Sequence, residues 1–138
     1  HMMAINLKGT FLCCQAAARV MMPRKKGVII NITSGAARRN LPRTGAYSVS
    51  KAAVAMMTEC LADDLIPYGI RINSIGPGPA RTDMNKTHWE NPQTKAEHEA
   101  KLFMKRFAEP EEIAGIALLL ASDASSYVTG QAVYFSNR

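Results

Sequence analysis

The chain has 138 residues, enough for one domain with a core that needs no disulfide or metal staples. With 47% hydrophobic and 20% charged residues it is not a disordered chain, and no apolar run reaches the ~18–20 residues of a membrane span. The net charge of +6 invites a nucleic-acid reading, but only Arg24-Lys25-Lys26 forms a run and no stacking aromatics flank it, so neither nucleic acid nor membrane is expected as a partner.

His1-Met2 ahead of Met3 reads as a cloning scar and is set aside, which leaves 3–138 for the fold. In INLKGTFLCCQAAARVMM, residues 5–22, the apolar positions Ile5, Phe11, Leu12, Ala16 and Val20 form a helical stripe. Pro23 stops that helix, with Arg24-Lys25-Lys26 near its negative end. Gly27 opens VIINI, an apolar run rich in β-branched residues of the kind expected for a parallel strand buried on both faces. The loop from Gly35 to Gly45 then delivers the chain to a second helix, AYSVSKAAVAMMTECLADDLI. Its apolar side reads as Val49, Ala53, Met56, Met57, Cys60 and Leu61, and it ends at Pro67 with Gly69 behind it. Cys13, Cys14 and Cys60 are odd in number and lack metal-ligand spacing, so they read as reduced core thiols of a cytoplasmic protein and no metal site is expected.

Ile70 to Ile75 reads as a second strand running into Gly76-Pro77-Gly78-Pro79. Residues 79–106 are mostly polar and read as a long irregular lid. Glu109-Pro110-Glu111-Glu112 starts another helix, since proline suits its first position and carboxylates its positive end. Gly130 opens the last strand, QAVYF. Alternation of helix and strand predicts an α/β fold, a parallel sheet with flanking helices.

The chemistry concentrates between Ser34 and Lys51. Tyr47 and Lys51 stand four apart on a predicted helix, so phenol and ammonium share a face. A phenol that titrates near ~10 is a poor proton carrier at neutral pH, and a cation one turn away favours its anion. Ser34, just past a strand, can hold a substrate oxygen beside that phenol. The spacing Ser-x12-Tyr-x3-Lys, with NSIGPGPARTDM downstream, resembles the short-chain dehydrogenase/reductase family over nearly the whole chain, but only over the second half of the family fold.

The resemblance implies an NAD(P)-dependent oxidoreductase acting on a small alcohol or carbonyl, closest in look to the glucose 1-dehydrogenase and 3-oxoacyl-carrier-protein reductase groups. It implies a catalytic tetrad of Asn6, Ser34, Tyr47 and Lys51. Tyr47 is then the proton donor or acceptor and Ser34 positions the reacting oxygen. Lys51 lowers the phenol pKa and binds the nicotinamide ribose, and Asn6 holds a water of the proton relay. Pro77, Gly78 and Thr82 match the segment lining the nicotinamide side of the cofactor site, with Tyr47 and Lys51 as further cofactor contacts.

Two departures accompany these matches. No three glycines have the Gly-x3-Gly-x-Gly spacing that cradles a pyrophosphate, and the chain closes on YFSNR instead of the family's acidic residue and two glycines. The expectation is therefore a truncated form: the last three strands of a seven-stranded doubly wound sheet, without the nucleotide-binding half, binding NAD or NADP weakly or not at all and inactive alone. VIINI would then be an exposed sheet edge, from which a homo-oligomer is expected. The alternative is a catalytically silent module that self-associates through that edge. Full-length family members oligomerise through the Tyr47 helix and the one before it.

Overall fold

A computed structural model describes residues 1–39 and 42–135. Strands β1 (Gly27–Ile32), β2 (Ile70–Gly76) and β3 (Ala132–Tyr134) form a parallel sheet in the order β1-β2-β3. The register runs from Gly27↔Ile70 to Ile32↔Ile75, then from Ser74↔Ala132 to Gly76↔Tyr134. The helices are α1 (Thr10–Met21), α2 (Gly45–Leu65), α3 (Lys86–Trp89), α4 (Pro92–Glu99) and α5 (Pro110–Ala121). A single π turn, Ala4–Gly9, leads into α1. The element order matches the sequence reading, as does the position of β1 at the sheet edge, where β2 is its one partner strand among the described residues.

Burial on both faces belongs to β2 rather than to β1. Every residue of β2 is buried, although Arg71, Asn73 and Ser74 are polar, because β2 is the central strand with helices on both sides. At the edge, Ile32 of β1 is 51% exposed. On one face Ile29, Ile70 and Ile72 meet Cys14 and Ala18 of α1 and Ala62 and Leu65 of α2. The faces of these helices are corrected accordingly. Ile5, Phe11, Leu12 and Val20, and likewise Val49, Met56 and Cys60, point outward. The inward face of α2 is Ser50, Val54, Thr58, Ala62 and Leu65, mostly small residues that let the helix lie close on the sheet.

The polar members of that face are satisfied internally. Asn31 Nδ2 donates to Thr58 Oγ1 (2.9 Å), Thr58 Oγ1 donates to Val54 O (2.8 Å), and Cys14 Sγ donates to Asn31 Oδ1 (3.3 Å). Burial pushes the Cys14 thiol up. Cys14 is thus the core thiol; Cys13 and Cys60 are exposed, and all three are free.

On the opposite face α5 closes the sheet. Its start is a capping box, Glu109 N–H donating to Glu112 Oε2 at 2.8 Å. A two-pronged Arg106 bond on the same carboxylate, 2.6 Å on each prong, holds Glu112 down at about 2. The segment 79–106 is not irregular but largely helical. Asn91 caps α4 by accepting from Gln93 and Thr94 N–H, and Pro92 occupies its first position. Its two ends are stitched together, Ala108 N–H donating to Pro79 O (3.0 Å) and Arg81 N–H to Ala108 O (2.9 Å).

Candidate active site

The carboxyl ends of parallel strands are where an α/β sheet leaves a crevice, and the predicted residues gather at the ends of β1 and β2. Ser34 lies two residues beyond β1 and caps a short turn, its Oγ accepting the Ala36 N–H at 3.1 Å. The hydroxyl proton of Ser34 is left to donate elsewhere. Tyr47 and Lys51 occupy the first two turns of α2, and Lys51 Nζ stands 5.9 Å from the Tyr47 ring centroid. The same ammonium donates to Ile32 O, the last carbonyl of β1, at 3.0 Å. Half-burial pushes the Lys51 pKa down, because a desolvated charge is disfavoured.

Backbone ties hold the pieces in place. Thr33 Oγ1 donates to Lys51 O (2.6 Å) and Thr33 N–H to Ile75 O (2.8 Å), so β1, α2 and β2 meet at one residue. Gly35 N–H donates to Pro77 O (2.9 Å), which sets the serine turn against Pro77-Gly78. Asn6, inside the π turn, donates through Nδ2 to Ser50 Oγ (3.0 Å), and Ser50 Oγ donates to Tyr47 O (2.7 Å). Single π turns recur at functional sites; this one aims Asn6 at the turn of α2 that carries Tyr47.

Ser34, Lys51 and Pro77-Gly78 are therefore bound together through their neighbours, and Asn6 and Tyr47 through Ser50. Thr82 is exposed, its carbonyl accepting from Trp89 Nε1 (3.1 Å), and no described contact joins it to the others. A cleft of about 180 Å³ touches this group only at Gly78 and continues along Met104, Ile113 and Phe135. Sequence reasoning missed Thr33 and Ser50, whose partners lie 18 and 44 residues away. Arg39 Nη2 stands 3.9 Å from the point that a Gly35 Cβ would occupy.

The donor set fits the nicotinamide–ribose end of a dinucleotide. Lys51 keeps two of its three protons beyond the Ile32 bond, suited to a vicinal diol, with the phenol of Tyr47 alongside.

The family described as Enoyl-(Acyl carrier protein) reductase matches residues 1–137. L-xylulose reductase of Caenorhabditis elegans is 41% identical over 128 residues, which are 92% of this chain and 51% of the relative. NAD-dependent glycerol dehydrogenase of Listeria innocua is 40% identical, over 94% of this chain and 50% of its own. The solved structure of a gluconate 5-dehydrogenase from Burkholderia cenocepacia, in complex with NADP and tartrate, superposes with a TM-score of 0.92 at 33% identity, covering 98% of this chain and 53% of that one. The chain spans about half the length of the relatives it matches.

Proposed function

The chain belongs to the short-chain dehydrogenase/reductase family, and from that premise we propose an NAD(P)-dependent oxidoreductase in which Tyr47 exchanges the proton with an alcohol or carbonyl substrate. The observation that carries this reading is the Lys51 ammonium, lodged between the Tyr47 ring and the end of β1.

Bound nicotinamide supplies the hydride donor or acceptor. Ser34 donates its free hydroxyl proton to the substrate oxygen. Tyr47 gives or takes the proton at that same oxygen, and negative charge developing on its phenol is stabilised by Lys51 and by the positive end of α2. Lys51 also holds the ribose. Pro77 and Gly78 line the nicotinamide face, and Thr82 closes on it from the lid. Asn6 steadies the Tyr47 turn through Ser50 and holds the relay water. By themselves these 138 residues are expected to bind NAD or NADP weakly or not at all and to be inactive, since their donors reach only the nicotinamide end and the sequence contains no Gly-x3-Gly-x-Gly turn.

The test is nicotinamide absorbance in protein that turns over, with Tyr47→Phe beside it. Loss of the acid–base group costs at least ~10²-fold; undiminished turnover without the phenol defeats the reading. The free thiols fit a cytoplasmic location, which we also propose.

A second reading, a catalytically silent module that self-associates, is favoured by the outer edge of β1, which carries no partner strand among the described residues. The outward apolar residues of α1 and α2 offer a second copy another surface. Light scattering over a dilution series decides: a monomer at every concentration removes both the silent module and the homo-oligomer.

A further inference from the structure

The lid brings two imidazoles together that no spacing in the sequence announces. His88 stands on α3 and His98 on α4, ten residues apart in the chain, yet His88 Nδ1 lies 3.1 Å from His98 Nε2. The ring centroids are only 4.5 Å apart, at 65°, too close for two rings joined end to end along a straight hydrogen bond. The rings lean over their contact instead. Both are held from behind. Trp89, next to His88, donates its Nε1–H to Thr82 O at 3.1 Å, and His98 packs 6.4 Å from the centroid of the buried Phe107 ring. His88 is exposed and His98 half-buried, so solvent reaches the pair.

Two nitrogens at this separation suit a metal ion. With Zn–N bonds of ~2.0–2.1 Å, the 3.1 Å between them subtends roughly 100° at the ion, between the square-planar and tetrahedral angles. Imidazole suits zinc, copper or nickel, whereas magnesium and calcium take oxygen ligands. A ligating ring must be neutral, and burial with the charges of His88 and Lys101 lowers the His98 pKa. Glu97 acts on His98 in the opposite sense to Lys101. Among the described residues no group of three His, Cys, Asp or Glu side chains could hold an ion, so water fills the remaining positions and the ion is exchangeable.

We propose that His88 and His98 form a two-histidine site for a divalent transition-metal ion of the zinc type, which clamps α3 to α4 and fixes the lid beside Thr82. The proton of their shared bond moves to the far nitrogen of the ring that carries it, so neutral rings release no net proton. The site goes beyond the function proposed above and does not depend on it. The chain, labelled with ¹⁵N, is titrated at neutral pH with zinc chloride and, separately, with magnesium chloride. The expected result is saturable binding of one zinc ion per chain at the lid. It shifts the ring signals of His88 and His98 and the indole N–H of Trp89, the chain's single tryptophan, while magnesium shifts none of them. His88→Gln and His98→Gln each weaken zinc by at least about tenfold, since loss of even an outer partner of a metal site costs ~10–100-fold. His1→Gln, which removes the third histidine, leaves the lid shifts in place. Zinc at ten times its Kd slows amide exchange in α3 and α4 by about tenfold, because it binds only the closed lid.

The proposal is overturned if zinc binds nowhere saturably, if its shifts collect at His1 or at the exposed thiols of Cys13 and Cys60, or if magnesium binds the lid as well as zinc does. Parent affinity in either glutamine variant, or lid exchange unchanged by saturating zinc, also overturns it. Should His98→Gln loosen the lid by losing its Phe107 contact, the exposed His88→Gln still decides. Neither nicotinamide nor turnover enters these measurements, so failure of the Tyr47 reading leaves their outcome untouched, and their failure leaves the Tyr47 reading standing.

Discussion

Arg71→Met is expected to destabilise the fold by a modest and calculable amount. Arg71 is a buried cation in the central strand, and its partners are backbone carbonyls: Nη1 donates to Leu120 O (3.1 Å) and Val128 O (3.2 Å), Nη2 to Ser122 O (3.0 Å). The negative end of α5 serves as its counter-charge. Three charge-assisted bonds at ~1.5–3 kcal/mol each would sum to well above 4 kcal/mol. The sum overstates the cost, because two of these oxygens have a second donor of their own and the third can share one. Ser125 N–H donates to Ser122 O at 3.3 Å and Asn73 Nδ2 to Val128 O at 2.9 Å, while the single Ser125 hydroxyl proton lies within reach of Leu120 O at 3.1 Å and of Leu119 O at 2.8 Å. Only Leu120 O is left to the shared Ser125 proton, and methionine fills a similar volume without a buried charge. The expected loss is therefore about 1–3 kcal/mol, a fall in Tm on the order of 5–10 °C for a chain of this size. Arg71→Ala leaves a cavity in addition and costs roughly 2 kcal/mol more. Thermal unfolding and urea titration measure both. A Met variant as stable as the parent would mean that the charge does not hold α5 on the sheet, and a loss above ~5 kcal/mol would mean that the second donors do not compensate.

Lys51→Met removes a charge 5.9 Å from the Tyr47 ring. With an effective dielectric near 20 that distance corresponds to about 2–3 kcal/mol, so steps that build negative charge on the phenol slow by roughly 10²-fold, seen in kcat; a loss below about threefold refutes it. His88 Nδ1 and His98 Nε2 share one hydrogen bond at 3.1 Å, which requires at least one neutral ring. Burial first, then the charges of His88 and Lys101, lower the His98 pKa. The folded chain thus binds that proton less readily than the unfolded one. The stability it contributes is complete above the ordinary histidine value of ~6.5 and is lost as pH falls through the lower folded value. Ring NMR signals followed from pH 7 to 5 should report separation of α3 from α4, and rings still in contact when both are protonated would contradict this. Gly76→Ala would put a Cβ 2.3 Å from Tyr134 Cδ1 and 3.2 Å from Thr33 Cγ2. Overpacking of that kind costs about 1–3 kcal/mol, and a variant within ~0.5 kcal/mol of the parent in urea would show that the ring simply steps aside.

What could be read in the sequence was what a short stretch of backbone imposes. Tyr47 and Lys51 share a face because a helix turn is four residues long, and Glu109 with Pro110 announces a helix start by local hydrogen bonding alone. The alternation of elements likewise predicted the parallel sheet and its order of construction. The helix faces were misread because size of side chain was taken for depth. The large residues Phe11, Leu12, Val49 and Met56 lie outside, while Ser50 and Thr58 lie inside because Asn6 and Asn31, remote in the chain, satisfy them. Arg71 escaped notice for the same reason: its carbonyl partners lie 49 to 57 residues further on. The lid helices could have been found, since Asn91-Pro92 is a start signal, but α4 has too weak an apolar pattern to support it.

The central strand has a consequence for how the molecule comes into being. β2 joins β1 across roughly 40 residues of chain and β3 across roughly 60, and no hairpin in the sheet brings two strands together cheaply. Contacts so distant in sequence make for slow folding, in which loop-closure entropy is spent before pairing repays it. The helices can form early, but Ser34 meets Pro77-Gly78 only after β1 and β2 have found their register. A slip of one residue in that pairing would carry Ile70 and Ile72 to the α5 side and Arg71 into the apolar face under α2. The guanidinium's three carbonyls thus act as a proofreading contact during assembly, penalising the misregistered chain before any active site exists.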